Sequence, residues 1–140
     1  MVQNSYRTPL SRARGLGSAH DGAARFIAER ASAIALAPLS LWAVYAGVKI
    51  APGGYEGAVA FLQSPINAVL AVLLIVVSTL HMEMGMRVII EDYLHKISTK
   101  IAMLLLNTGV CWLFGAIAVF SILKVALLGC LLYTSDAADE

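Results

Sequence analysis

The sequence predicts an all-α membrane protein, a bundle of three transmembrane helices with the N-terminus on the cytoplasmic side and the C-terminus opposite. Three observations predict it. Of 140 residues, 59% are hydrophobic and only 14% charged, against about 45–50% and about 25% in soluble domains. Mean hydropathy is +0.78. The apolar residues fall into three runs of the length that crossing demands, about 20 residues at roughly 1.5 Å each through about 30 Å of hydrocarbon.

The first span is expected over residues 31–50, the second over 66–91 and the third over 100–124. Pro38 lies inside the first, which membrane helices tolerate where neighbours or hydroxyl side chains satisfy the freed carbonyl. Lys49 ends it with a side chain able to reach the interface, and Pro52-Gly53-Gly54 stops the helix. Residues 55–64 are expected to be a short connection. Ser64-Pro65 opens the second span as N-cap and first helical residue. Ser98-Thr99 gives a similar capping signal for the third.

Lys and Arg near the span ends set the orientation. Arg7, Arg12, Arg14, Arg25 and Arg30 precede the first span, and Arg87, Lys96 and Lys100 lie around the second connection. The opposite side has only Lys49 and Lys124. Residues 1–30 are thus a cytoplasmic (matrix-side) segment, and polar and basic residues there argue against a cleaved signal peptide. Residues 130–140 break with the rest of the chain, and their acidic end reads as a non-native tail.

The composition leaves no room for a separate catalytic domain, and the net charge of +1 gives no basis for a nucleic-acid partner. Cys111 and Cys130 sit in apolar runs, as small hydrophobes do, without the spacing of a zinc site or disulfide framework.

Ionisable residues inside spans are costly, about 2.5–3.5 kcal/mol at mid-helix on insertion scales, which makes each a candidate for function. They cluster on the inner half of the second span. His81 lies about ten residues, roughly 15 Å, from its cytoplasmic end. At about 100° per residue, Gly85 and Asp92 return to the face of His81, with Tyr93 beside Asp92 about a quarter turn round. A neutral imidazole is a usual axial ligand of haem iron, and a glycine one turn below lets a flat macrocycle approach the backbone. His20 and His95 are too shallow to pair with His81, so a second ligand would come from another subunit. The bland alternative is that His81 bonds across a helix interface and Gly85 permits close packing. Glu83 and Arg87 form an i, i+4 pair that can neutralise itself, and Met82, Met84 and Met86 are adaptable packing.

The pattern His81-x-x-x-Gly85 followed by Asp92-Tyr93 resembles the second helix of the succinate dehydrogenase hydrophobic membrane anchor family. Arg30-Ala31-Ser32 is similar to that family's entry to its first helix, and Gly17-Ser18-Ala19-His20 followed by Asp21 to its approach segment. The resemblance covers about residues 10–128 and leaves the acidic tail without a counterpart.

The resemblance implies a membrane anchor of respiratory complex II in a bacterial inner membrane, ahead of its mitochondrial equivalent. Its partners would be a second, larger anchor subunit, an iron–sulfur subunit and a flavoprotein subunit. It implies haem b shared with the second anchor, with His81 as an axial ligand of the iron and Arg30 and Gly85 in contact with haem. Tyr93 and Asp92 would bind ubiquinone, Tyr93 by a hydrogen bond to a quinone carbonyl. The alternatives are a structural or assembly protein without haem, and an anchor of a related dehydrogenase such as fumarate reductase.

Overall fold

In the computed structural model, residues 8–10 and 22–136 are described, with side chains as far as residue 127. From Gly22 onward they form helix α1 (Gly22–Ile50), a 3-10 turn (Ala51–Gly53), α2 (Gly54–Gln63), α3 (Pro65–Tyr93) and α4 (Ile97–Asp136). No strand occurs among the described residues. Three helical stretches among them are long and apolar enough to cross a membrane: Gly22–Gln63, Pro65–Tyr93 and Ile97–Leu127.

The 31–50 span sits inside a longer helix. Ala23, Ala24, Arg25, Ala28, Glu29 and Arg30 are good helix formers. Their charges oppose burial in lipid but not helix formation, so α1 begins nine residues earlier, at Gly22. It passes through Pro38 unbroken. The Ser40 hydroxyl donates to the Ala37 carbonyl at 2.8 Å, not to the Ile34 carbonyl that the proline leaves without its usual partner.

The chain turns at Gly54, whose φ of 53° is a left-handed value that glycine adopts without steric cost. Helix α2 then replaces the plain connection that the sequence suggested. Tyr55 to Gln63 contain no breaker beyond Gly57, and Gly57 lets the helix start beside the end of α1. A β-carbon there would lie 3.3 Å from the Ile50 carbonyl oxygen. The rings of Trp42 and Phe61 hold α2 against α1 with centroids 6.2 Å apart.

Ser64, extended at ψ 122°, makes the corner into α3 and stands at its N-cap, followed by Pro65 as expected. Its side chain makes no capping hydrogen bond. Its carbonyl accepts from the Ala68 N–H at 3.0 Å, and Asn67 ties the corner by donating to the Phe61 carbonyl at 3.1 Å. The turn after Tyr93 is held by Lys100, whose ammonium donates to the Glu91 carbonyl at 2.8 Å. Helix α4 begins at Ile97, so Ser98 and Thr99 lie in its first turn instead of capping it. The Lys96 carbonyl already accepts from the Lys100 N–H, at 2.9 Å. Helix α4 continues through residues 130–136, within the stretch the sequence sets apart as a tail, and residues 137–140 lie outside the described residues.

Helix α3 is central. It packs on α1 and on α4, whereas α1 and α4 do not meet each other among the described residues. The most buried side chains are small or slender, namely Ala46, Ala68, Ala71, Ile90 and Cys111. Small side chains bring helix backbones close together where lipid offers no hydrophobic force to do so. Helices α3 and α4 approach closely at Gly115, where a β-carbon would sit 2.8 Å from Thr79 Oγ1. Helix α2 also packs on α3 and α4, and large apolar side chains such as Ile34, Leu41, Ile66, Phe114 and Phe120 stay exposed.

Candidate functional site

The C-terminal half of α3 carries most of its polar residues, and several of them find partners on the neighbouring helices. His81 is half-buried on the side facing α1. Its Nδ1 lies 3.0 Å from the Ser32 hydroxyl oxygen, 49 residues away in sequence. The same hydroxyl donates to the Glu29 carbonyl at 2.9 Å. His81 therefore does bond across a helix interface, and it does so through one ring nitrogen, leaving the other for a second role.

Glu83 faces α4. Its carboxylate accepts from Thr108 Oγ1 at 2.9 Å and from the Arg87 guanidinium one turn on. Its backbone carbonyl accepts from Asn107 Nδ2 at 3.1 Å, and Asn107 Oδ1 takes the Cys111 thiol at 3.6 Å. The charged pair expected from i, i+4 spacing thus forms; of the α4 residues, Thr108 bonds its carboxylate and Asn107 the Glu83 backbone. Nothing in the second span alone could have revealed Asn107 and Thr108 as its partners.

Between α1 and α3 lies a cleft of about 260 Å³ lined by Arg25, Glu29, Glu83, Arg87 and Glu91 among others. Arg25 pairs with Glu91 at 3.5 Å across its mouth. With both side chains about half exposed, that pair adds little stability. The cleft exists because α1 continues past Arg30 towards its start.

Helix α3 stays helical to Tyr93, so the stripe of His81, Gly85 and Asp92 is on one continuous helix. Asp92 is exposed, and Tyr93 is 79% exposed at the helix end. Twelve residues separate Tyr93 from His81, about 18 Å along the axis, so one candidate sits within the span and the other at its border. A β-carbon built on Gly85 meets nothing within 4 Å. There is thus room beside the backbone at Gly85 for a flat group approaching α3. Arg30 is exposed, with its guanidinium 5.2 Å from the centre of the Phe26 ring. It stands about 200° round α1 from Ser32, away from the side that meets His81. His20 and its approach segment lie outside the described residues.

No group of three or more His, Cys, Asp or Glu side chains able to hold a bare metal ion occurs among the described residues. Haem iron needs only one axial imidazole from each side, and His81 with an uncommitted ring nitrogen beside an open Gly85 fits that requirement.

Three helical stretches long and apolar enough to cross a membrane, polar over the C-terminal half of the central one, define a membrane-spanning subunit. Residues 4–123 match the family described as the succinate dehydrogenase/fumarate reductase transmembrane subunit, and the chain belongs to that family. Among its relatives is the succinate dehydrogenase hydrophobic membrane anchor subunit of Paracoccus denitrificans, 30% identical over 122 residues, which are 87% of this chain and 94% of that one. The subunits of the same description from Rickettsia bellii and Rickettsia conorii are each 30% identical. Those matches cover 64% and 66% of this chain, and 71% and 75% of the relatives. No solved structure matches the chain. The family that the second-helix pattern resembles is the one to which the chain belongs.

Proposed function

We propose that this chain is the smaller membrane anchor of a succinate:quinone oxidoreductase in a bacterial inner membrane, and that it helps to bind haem b and ubiquinone. The observation that carries the reading is His81: a half-buried imidazole inside a span, held by Ser32 through Nδ1 alone, above a glycine with free space where a β-carbon would stand. His81 would hold haem iron through Nε2, and a second anchor subunit would supply the opposite ligand. Gly85 would let the macrocycle lie against α3. When bound, haem b accepts and returns single electrons.

Tyr93 and Asp92 act at the inner end of α3. Reduction of a quinone builds negative charge on its oxygens, and a phenolic O–H directed at one of them stabilises that charge. Tyr93 is exposed on this chain, so its site is completed by neighbouring subunits, of which an iron–sulfur subunit would deliver the electrons from a flavoprotein. Asp92 at the same border orients the quinone or relays protons from water. On this reading the inner end of α3 is on the cytoplasmic side, with N-terminus inside and C-terminus outside.

Substituting Tyr93→Phe in the assembled complex tests the quinone role. Succinate oxidation with a soluble dye should survive while ubiquinone reduction falls by about 100–1,000-fold, in keeping with the loss of one aligned donor. Unchanged quinone turnover would remove Tyr93 from the site.

A further inference from the structure

The hydroxyl of Ser32 has one proton and two neighbours that compete for it. Its oxygen is 2.9 Å from the Glu29 carbonyl oxygen, which can only accept. It is also 3.0 Å from His81 Nδ1, which donates or accepts according to the tautomer. Both contacts are hydrogen bonds together in only one arrangement. The hydroxyl gives its proton back one turn to Glu29, the habit of serine in helices, and receives the proton of His81 Nδ1–H on a lone pair. In the opposite arrangement the carbonyl and the hydroxyl oxygen still face each other at 2.9 Å, with no proton between them if the hydroxyl turns to Nδ1.

From this proton count we propose that Ser32 is a positioning residue for haem: it fixes His81 as the Nδ1–H tautomer, leaves the Nε2 lone pair for the iron, and holds the ring plane in one orientation. The inference rests on the reading of His81 as a haem ligand and adds a residue to it. A metal-bound imidazole is generally oriented and made more basic by the acceptor of its other N–H. Here that acceptor is itself fixed to the backbone of α1, so the packing of α1 on α3 is transmitted to the ring. Arg30-Ala31-Ser32 thus gains a physical role beyond the start of a span: its serine is the residue of α1 that meets the ligand helix.

The test compares Ser32→Ala and Ser32→Thr in the assembled complex, with His81→Leu alongside. The readouts are the haem midpoint potential and the low-field electron paramagnetic resonance signal of the oxidised haem. Loss of the acceptor makes the imidazole a poorer donor to ferric iron and frees the ring to turn. Ser32→Ala should therefore keep haem but raise its potential and shift or broaden the signal, while Ser32→Thr, which keeps the hydroxyl, should match the parent in both. If Ser32→Ala does not assemble, Ser32→Cys, with a weaker acceptor of similar shape, should give the same change. Potential and signal unaltered in the alanine or cysteine variant, with the His81→Leu spectrum changed, would overturn the role of Ser32 alone. A haem spectrum indifferent to His81→Leu would overturn the ligand reading and this inference with it.

Discussion

Gly115 carries the sharpest packing prediction. Replacing it with alanine places a β-carbon 2.8 Å from Thr79 Oγ1, 3.0 Å from Cγ2 and 3.4 Å from Cβ. All three atoms belong to a β-branched side chain with few helical rotamers, so relief requires α3 and α4 to part by a few tenths of an ångström. Overpacking of this kind costs about 1–3 kcal/mol, and contact with both branches points to the upper half of that range. Alanine returns up to about 1 kcal/mol through its better helix propensity, leaving a net loss of about 1–2 kcal/mol, or a factor of about 5–30 in the population of the parted state. Cys111 is the reporter. It lies one turn before Gly115 and is 3% exposed. With Cys130 replaced by serine, labelling of Cys111 by a membrane-permeant thiol reagent should quicken by that same factor, about 5–30-fold, in Gly115→Ala. Thr79→Ala in the same chain should return it close to the parent rate, because the clashing atoms are gone. A labelling rate unchanged by Gly115→Ala, or raised equally with and without Thr79→Ala, would refute the close approach of α3 and α4 at this point.

Two further predictions concern charge. Arg87→Met should destabilise the fold more than Arg87→Met combined with Glu83→Gln, since the single change leaves a carboxylate in the membrane with only Thr108 as partner. The difference, measured from thermal melts of the purified complex, should stay below the about 3–5 kcal/mol of fully buried pairs, because Arg87 is partly exposed. Equal melting of the two variants would show that the pair adds nothing. The distribution of Lys and Arg predicts that a cysteine placed at Lys96 reacts with an impermeant reagent only from the cytoplasmic side, and one placed at Gly53 only from the opposite side. The reverse pattern would invert the proposed orientation.

Much of the architecture was legible because crossing a bilayer imposes length and composition, and three runs satisfied both. The ends of the elements were less so. Helix α1 reaches back to Gly22 because charge marks where a span stops, not where a helix stops. The segment after Gly54 is helical because its local sequence contains little that forbids a helix. At the site, spacing on a single helix placed His81, Gly85 and Asp92 on one face and paired Glu83 with Arg87. Spacing could not supply the groups that α1 and α4 bring to that helix. Ser32 and His81 are 49 residues apart, and Thr108 and Glu83 are 25 apart. Their meeting follows from helix packing, which no periodicity encodes.

The reading of this chain as a haem-bearing anchor turns on His81. The most direct test is a succinate-reduced-minus-oxidised visible spectrum of the gently purified complex, recorded for the parent and for His81→Leu. The parent should show a b-type haem reduced on adding succinate, and His81→Leu should lose or markedly alter that signal while the dehydrogenase subunits remain attached. A colourless parent complex with those subunits attached, or a haem signal identical in both preparations, would contradict it.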